Sequence, residues 1–112
     1  MIDWARVAEL RGEIGEEGFA EVVEIFLEES GEAAAALGAA AEEELEGAMH
    51  FLKGSALNLG MARLAAACQA GERAAGAGRG GEVDRGALLA LYEASRAAFL
   101  AGVNEPAARA AA

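Results

Sequence analysis

Apolar residues recur at steps of three and four along most of the chain, and this spacing predicts amphipathic helices. We expect five helical segments, at about residues 3–12, 16–38, 42–59, 61–76 and 83–103. No stretch shows the alternation of a half-buried strand. The glycine-rich residues 76–82 lack the GK[ST] ending of a phosphate-binding loop, so we interpret them as a helix–helix turn.

Four of these helices are long and their connections are short, which is typical of an all-α, up-down antiparallel four-helix bundle. The short first helix would cap one end of the bundle, with Gly12 and Gly15 loosening the chain after it. We expect the bundle to occupy residues 1–104 and residues 105–112 to form a disordered tail.

Glycines in this sequence are predicted either to be tolerated inside a helix or to end one. Ser30 and Gly31 interrupt the second helix, but its apolar stripe resumes in phase, so we expect the helix to continue through them. Gly60 follows the last apolar residue of the third helix and suits a C-terminal cap.

Composition and charge exclude several classes of partner and location for this chain. The 112 residues fit one domain, and their formal charge of −10 disfavours binding to phosphate backbones, so we expect no nucleic-acid partner. We find no apolar run long enough for a membrane span and no signal peptide. The single cysteine, Cys68, excludes a disulfide within the chain. We expect a cytoplasmic monomer without membrane contacts.

The third predicted helix carries the only histidine, His50, and the only lysine, Lys53. On a helical wheel His50 lies about 150° from the centre of the apolar stripe and therefore faces solvent. Gly47, Gly54 and Leu57 share the face of His50. Lys53 lies on the flank, close enough to reach the imidazole.

This arrangement has a chemical logic. An exposed imidazole is mostly neutral at pH 7 and keeps a nucleophilic lone pair. Neighbouring glycines leave room for a partner, and the lysine offers positive charge to an arriving anion, for which a phosphoryl group fits best. A surface histidine without any role remains the alternative. Each exposed glycine, however, costs the helix about 1 kcal/mol relative to alanine, and on the residues alone both interpretations stay open.

The stretch "HFLKGSALNLGMARLAAACQAGE", residues 50–72, resembles the signature of the histidine-containing phosphotransfer (Hpt) domain family. That signature is H-x-x-K-G-[SA]-[SA], followed by a small or polar residue, an apolar residue and Gly. The matching residues are His50, Lys53, Gly54, Ser55, Ala56, Leu59 and Gly60. The upstream "FLEES", residues 26–30, is also similar to the family's preceding helix, so the resemblance covers nearly the whole chain.

The resemblance implies a phosphorelay intermediate. His50 would take a phosphoryl group from an aspartyl phosphate of a response-regulator receiver domain, or from a histidine kinase or hybrid kinase, and pass it to another receiver aspartate. It implies a phosphocarrier and not an enzyme, since the family lacks ATP-binding motifs. No cofactor of its own is implied, and Mg²⁺ would belong to the partner's receiver domain.

Roles for individual residues follow from the same resemblance. His50 matches the phospho-acceptor, and Lys53 matches the lysine that orients the phosphoryl group and balances its charge. Gly54 matches the glycine that gives the receiver close access; Gly47 and Leu57, on the same face, would also be in the docking surface. Glu72 lies where the family often has Gln or Glu facing the imidazole.

The Glu72 side chain would accept a hydrogen bond from Nδ1–H of His50 and leave Nε2 free. Gln69 takes this role instead if the register differs by one turn.

Two features depart from the family pattern. Gly71 replaces a residue that is usually Leu or Ile, and the third helix starts without the usual Asp, Asn or Ser cap.

Other candidate residues have simpler interpretations. Ser55 would pack or bond the helix backbone, and Cys68 would be a buried, inert thiol. Trp4, Val7 and Ile14 either pack in the core or form part of a receiver-docking patch, and the sequence leaves this open.

Two other functions stay open. The first is a helical interaction module that binds a partner without phosphotransfer. The second, an enzyme with an enclosed pocket, is less favoured because a short bundle packed with alanine leaves little internal room. A metal site is not expected from one histidine and one cysteine on different helices.

Overall fold

The protein folds into four α-helices and two short 3-10 turns over residues 1–105, the part that the structure, a computed structural model, describes. The helices are α1 (Trp4–Ala39), α2 (Leu45–Asn58), α3 (Ala62–Gly76) and α4 (Arg85–Gly102), and the turns are Glu42–Glu44 and Gly80–Glu82. The described residues contain no strand, and the predicted all-α class is confirmed. Apart from Glu105, the predicted tail at residues 105–112 lies outside the described residues.

Helix α1 contains the first two predicted helices, joined by a kink. Gly15 alone leaves the helical conformation, with φ of 77° and ψ of 166°. Of the two glycines expected to loosen the chain, Gly15 does so, whereas the expectation for Gly12 was wrong because the backbone stays helical through Ile14. Residues 1–14 are called the N-terminal segment below, and the kink at Gly15 separates them from the rest of α1.

The N-terminal segment covers one end of the bundle, as predicted. Val7 is buried in the core, and the ring of Trp4 stacks on Phe99 of α4 with 5.9 Å between ring centroids. The backbone N–H of Asp3 donates to the carbonyl of Gly60 in the α2–α3 turn, with 2.7 Å between N and O. The segment is therefore fixed to α4 and to the α2–α3 turn.

Gly60 ends α2 in the way that the sequence predicts. Its φ of 69° lies in the left-handed region. Its N–H donates to the carbonyl of Leu57, and the N–H of Met61 donates to that of Ala56, which is the Schellman pattern. A Cβ at this position would lie 2.7 Å from the carbonyl oxygen of Asp3. Gly60 therefore both caps α2 and admits the N-terminal segment.

Helices α1 and α4 are antiparallel and are tied together at two levels. Arg85, at the start of α4, donates to the carbonyls of Leu37 and Ala40 at the end of α1. Further along, the hydroxyls of Ser30 and Tyr92 lie 3.0 Å apart inside the bundle. Helix α1 continues through Ser30, as predicted, and the Ser30 hydroxyl bonds back to the carbonyl of Leu27.

The start of the third predicted helix is a 3-10 turn, and α2 itself begins three residues later than expected, at Leu45. No side chain caps α2. In the 3-10 turn before it, the carboxylate of Glu44 accepts from the N–H of Ala41 at 3.0 Å.

The core lies between all four helices and consists largely of aliphatic side chains. Its fully buried large members are Val7, Leu37, Leu45, Met49, Leu52, Leu59, Met61, Leu64 and Phe99. No helix within residues 1–105 has the length and apolar character needed to cross a membrane.

Candidate functional site

His50 lies on the outer face of α2, as the helical wheel predicts. Its side chain is 69% exposed. The core residues Leu45, Met49 and Leu52 of the same helix are fully buried on the opposite side. The packing of α2 against α1 and α3 therefore fixes the direction in which the imidazole points.

Glu72 of α3 contacts the imidazole. Nδ1 of His50 and Oε1 of Glu72 lie 2.7 Å apart. Gln69, the alternative that the sequence left open, lies exposed one turn earlier on α3, and the imidazole's hydrogen-bond partner is Glu72. The structure thus distinguishes two candidates that the sequence could not separate.

Lys53 bonds to the same carboxylate. Its Nζ donates to Oε2 of Glu72 at 2.7 Å, and both side chains are only about one-fifth exposed. The helical wheel places the lysine within reach of the imidazole, and in the structure Glu72 bridges the two groups. Lys53 first, and His50 second, lower the pKa of the Glu72 carboxyl below its usual value. Glu72 is therefore an anion at neutral pH.

The carboxylate determines which ring nitrogen is protonated. An ionised carboxylate only accepts hydrogen bonds, so a neutral His50 has its proton on Nδ1 and donates it to Glu72. Nε2 then has no proton and keeps its lone pair. The site can accordingly present a nucleophilic nitrogen on an exposed side chain, with one cation and one anion held beside it.

Close approach of α2 and α3 makes the Glu72 contact possible. A Cβ at Gly71 would collide with the sulfur of Met49, which is fully buried under the site. The departure of Gly71 from the family pattern thus has a physical reason, because Met49 fills the space of the missing side chain. Five residues further along α3, Gly76 similarly leaves room for the carboxylate of Glu46.

The face around His50 is open to a partner. A Cβ at Gly47 or Gly54 would meet no neighbouring atom within 4 Å. Leu57, two turns after His50, is 54% exposed. Phe51 is 57% exposed directly beside His50. Phe51 is not among the candidates predicted from the sequence, although an aromatic residue outside the apolar stripe of its helix is a usable signal of an exposed contact residue.

The remaining candidates take structural positions. Ser55 is buried in the bundle, away from the face of His50. Cys68 is fully buried, and burial, reinforced by the Glu72 carboxylate, raises the pKa of its thiol to about 11. The thiol is therefore protonated at neutral pH, in agreement with an inert core cysteine.

Trp4, Val7 and Ile14, for which the sequence left core packing and receiver docking open, take different positions. Val7 belongs to the core. Trp4 is half-buried against Phe99. Ile14, just before the kink, is 39% exposed and remains available to a partner.

Comparison with known proteins identifies the family to which this geometry corresponds. A family model described as "Hpt domain" matches residues 21–101. The match contains His50, Lys53 and Glu72. No curated protein and no solved structure matched the chain.

Proposed function

The chain belongs to the family of Hpt domains, and on this premise we propose that it carries a phosphoryl group on Nε2 of His50 between receiver-domain aspartates. Membership implies histidine phosphotransfer in a phosphorelay, with receiver domains and histidine kinases as the classes of partner. An Hpt domain is a phosphocarrier module and not a kinase. The identity of the acceptor atom and the roles of its neighbours are our proposals.

One observation supports the proposal most strongly, the contact between Nδ1 of His50 and Glu72. In the forward step the Nε2 lone pair attacks the phosphorus of an aspartyl phosphate. The N–P bond forms as the P–O bond to the aspartate breaks, and the aspartate carboxylate leaves. The proton on Nδ1 stays in place, so the phosphorylated ring is cationic, and the Glu72 carboxylate offsets this charge. The same groups serve the reverse step.

Lys53 would contribute charge and orientation. Its ammonium lies beside the same carboxylate, on the flank of the helix face that carries His50. From there it can turn toward phosphoryl oxygens because a lysine head group rotates freely on a flexible stem. Phosphoryl transfer depends mainly on positioning and on electrostatic stabilisation. We propose that Lys53 partly exchanges its bond to Glu72 for one to the phosphoryl group.

The proposed docking face consists of Gly47, Phe51, Gly54 and Leu57 around His50. The two glycines let another backbone approach closely, and the two large side chains offer apolar surface. A receiver would bring its own Mg²⁺, and we assign no cofactor to this chain.

Transfer assays test this function. Each receiver domain of the source organism is phosphorylated with acetyl phosphate, mixed with the protein, and followed for the appearance of label on the protein and its later transfer to a second receiver. Transfer to the protein from at least one receiver supports the proposal. Stable binding of receivers with no transfer in either direction would instead favour the alternative, an interaction module without phosphotransfer.

A further inference from the structure

A cavity lies where the N-terminal segment meets the α2–α3 turn. Its volume is about 210 Å³, and it is lined by Asp3, Arg6, Leu57, Gly60 and Ala62. An apolar void of about 150 Å³ is large enough to hold a benzene molecule. The cavity can therefore accept one aliphatic or aromatic side chain.

Its walls are held in place by backbone contacts. The hydrogen bond from Asp3 N–H to the Gly60 carbonyl joins the two sides. The side chain of Asp3 caps α1 by accepting from the N–H of Arg6 at 3.1 Å. A Cβ at Gly60 would collide with the carbonyl of Asp3, so the glycine is what lets the two walls meet this closely.

The cavity continues the face that carries His50. Leu57 lines it and is also more than half exposed on that face. Seven residues separate Leu57 from His50, which corresponds to two helical turns and about 10 Å along the axis. A partner positioned over the imidazole would also cover the mouth of the cavity.

The charged wall is formed by residues that precede the family match. Asp3 and Arg6 lie before residues 21–101. The Arg6 side chain is 36% exposed, and its ion pair with Glu9 is long, at 4.0 Å. Its guanidinium can therefore bind a carboxylate of a partner at little cost.

We propose that this cavity is a recognition subsite for the receiver domain. One apolar side chain of the receiver enters beside Leu57 and Ala62, and Arg6 pairs with a receiver carboxylate at the rim. This inference rests on the proposed phosphotransfer function, since the receiver is identified as the occupant by the continuity of the cavity with the His50 face.

The test fills the cavity without altering the acceptor. Ala62 is exposed at the start of α3, so Ala62→Phe should occupy the cavity and leave the core intact. The matched control is Ala94→Phe, at an exposed position on α4. Arg6→Glu is paired with Arg79→Glu, an exposed arginine that precedes the second 3-10 turn. The probe is the acetyl-phosphate-labelled receiver that transfers fastest to the wild-type protein.

We expect Ala62→Phe to lower kcat/KM for that receiver by about tenfold, equivalent to about 1.4 kcal/mol, mainly through KM. Arg6→Glu should lower it several-fold, and both controls should match the wild type. Phosphoramidate, a small donor whose P–N bond breaks with release of ammonia, should still phosphorylate Ala62→Phe at the wild-type rate.

The outcomes that would overturn the subsite differ from those that would overturn the phosphotransfer function. Wild-type transfer by Ala62→Phe would overturn the subsite while leaving the proposed function standing. Failure of the wild-type protein to accept phosphate from any receiver or from phosphoramidate would overturn the proposed function itself. A concentration-dependent dimer in light scattering that Ala62→Phe abolishes would identify a second copy of the chain as the occupant and contradict the proposal.

Discussion

Glu72 on α3 holds His50 on α2 by a 2.7 Å contact to Nδ1, and its second oxygen binds Lys53 at the same distance. These two contacts join α2 and α3 at the exposed edge of their interface. One carboxylate thereby fixes both the tautomer of the imidazole and the resting position of the ammonium.

Removal of the Glu72 carboxylate should slow phosphotransfer. We expect Glu72→Ala to lower the transfer rate by about tenfold, the lower end of the range found when a metal-bound histidine loses the group that holds its other ring nitrogen. Glu72→Gln, which keeps an acceptor oxygen but loses the negative charge that offsets the cationic ring, should recover only part of the rate. ¹⁵N NMR of His50 provides the independent measurement, because the Nδ1–H tautomer should dominate in the wild type and decline in Glu72→Ala. An unchanged tautomer ratio would exclude the positioning role.

The same residue should make stability depend on pH. The pKa of Glu72 is lowered in the folded state, first by the hydrogen bond from Lys53 and then by that from His50. A lowered folded pKa contributes stability above the unfolded value of about 4.5 and loses it as the pH falls through the folded value. The stability advantage of the wild type over Glu72→Gln should therefore be full at pH 7 and disappear in acid. Chemical denaturation from pH 7 to pH 3 measures it.

Lys53 should affect the rate without being essential. Lys53→Ala should slow transfer by about 10- to 100-fold, less than the loss of a buried oxyanion donor, because the site is open to solvent. Lys53→Arg keeps the charge and should recover part of the rate. Equal rates for the wild type and Lys53→Ala at both low and high salt would exclude Lys53 from the mechanism.

Gly54 should show opposite effects on stability and transfer. The position is exposed and free of neighbours, so Gly54→Gln should stabilise α2 by up to about 1 kcal/mol and raise the melting temperature by a few degrees. The same side chain would stand between His50 and a receiver and should abolish most transfer. If Gly54→Gln transfers at the wild-type rate, the receiver must approach from another side.

Gly71 and Met49 should be energetically coupled. Gly71→Leu forces a side chain against the Met49 sulfur and should destabilise the fold by about 1–3 kcal/mol. Adding Met49→Ala frees that space, so the double variant should be more stable than the sum of the single changes predicts. Additive free energies of unfolding in a double-mutant cycle would show that the two positions do not share this space.

The sequence predicted those features that depend on one helix at a time. The outward direction of His50, the cap at Gly60 and the passage of α1 through Ser30 follow from periodicity and from the left-handed preference of glycine, and all three are present. The position of the kink was predicted less well, since a helical glycine such as Gly12 and a non-helical one such as Gly15 look alike in the sequence.

Features that depend on two helices were not predictable in this way. Whether Glu72 or Gln69 faces His50 is decided by the rotation of α3 against α2. That rotation depends on how Met49 packs over Gly71, which no local pattern encodes. The hydrogen-bond partner of Lys53 could not be predicted either, because Glu72 is on a different helix.

The central claim is that His50 accepts the phosphoryl group on Nε2, and it can be measured directly. The protein and its His50→Gln variant are incubated with the same ³²P-labelled receiver, and the labelled wild type is examined by ³¹P and ¹⁵N NMR. Because His50 is the only histidine, we predict acid-labile label on the wild type alone, with phosphorus bonded to Nε2 and the proton on Nδ1. Acid-labile label on folded His50→Gln, or phosphorus on Nδ1, would contradict the account.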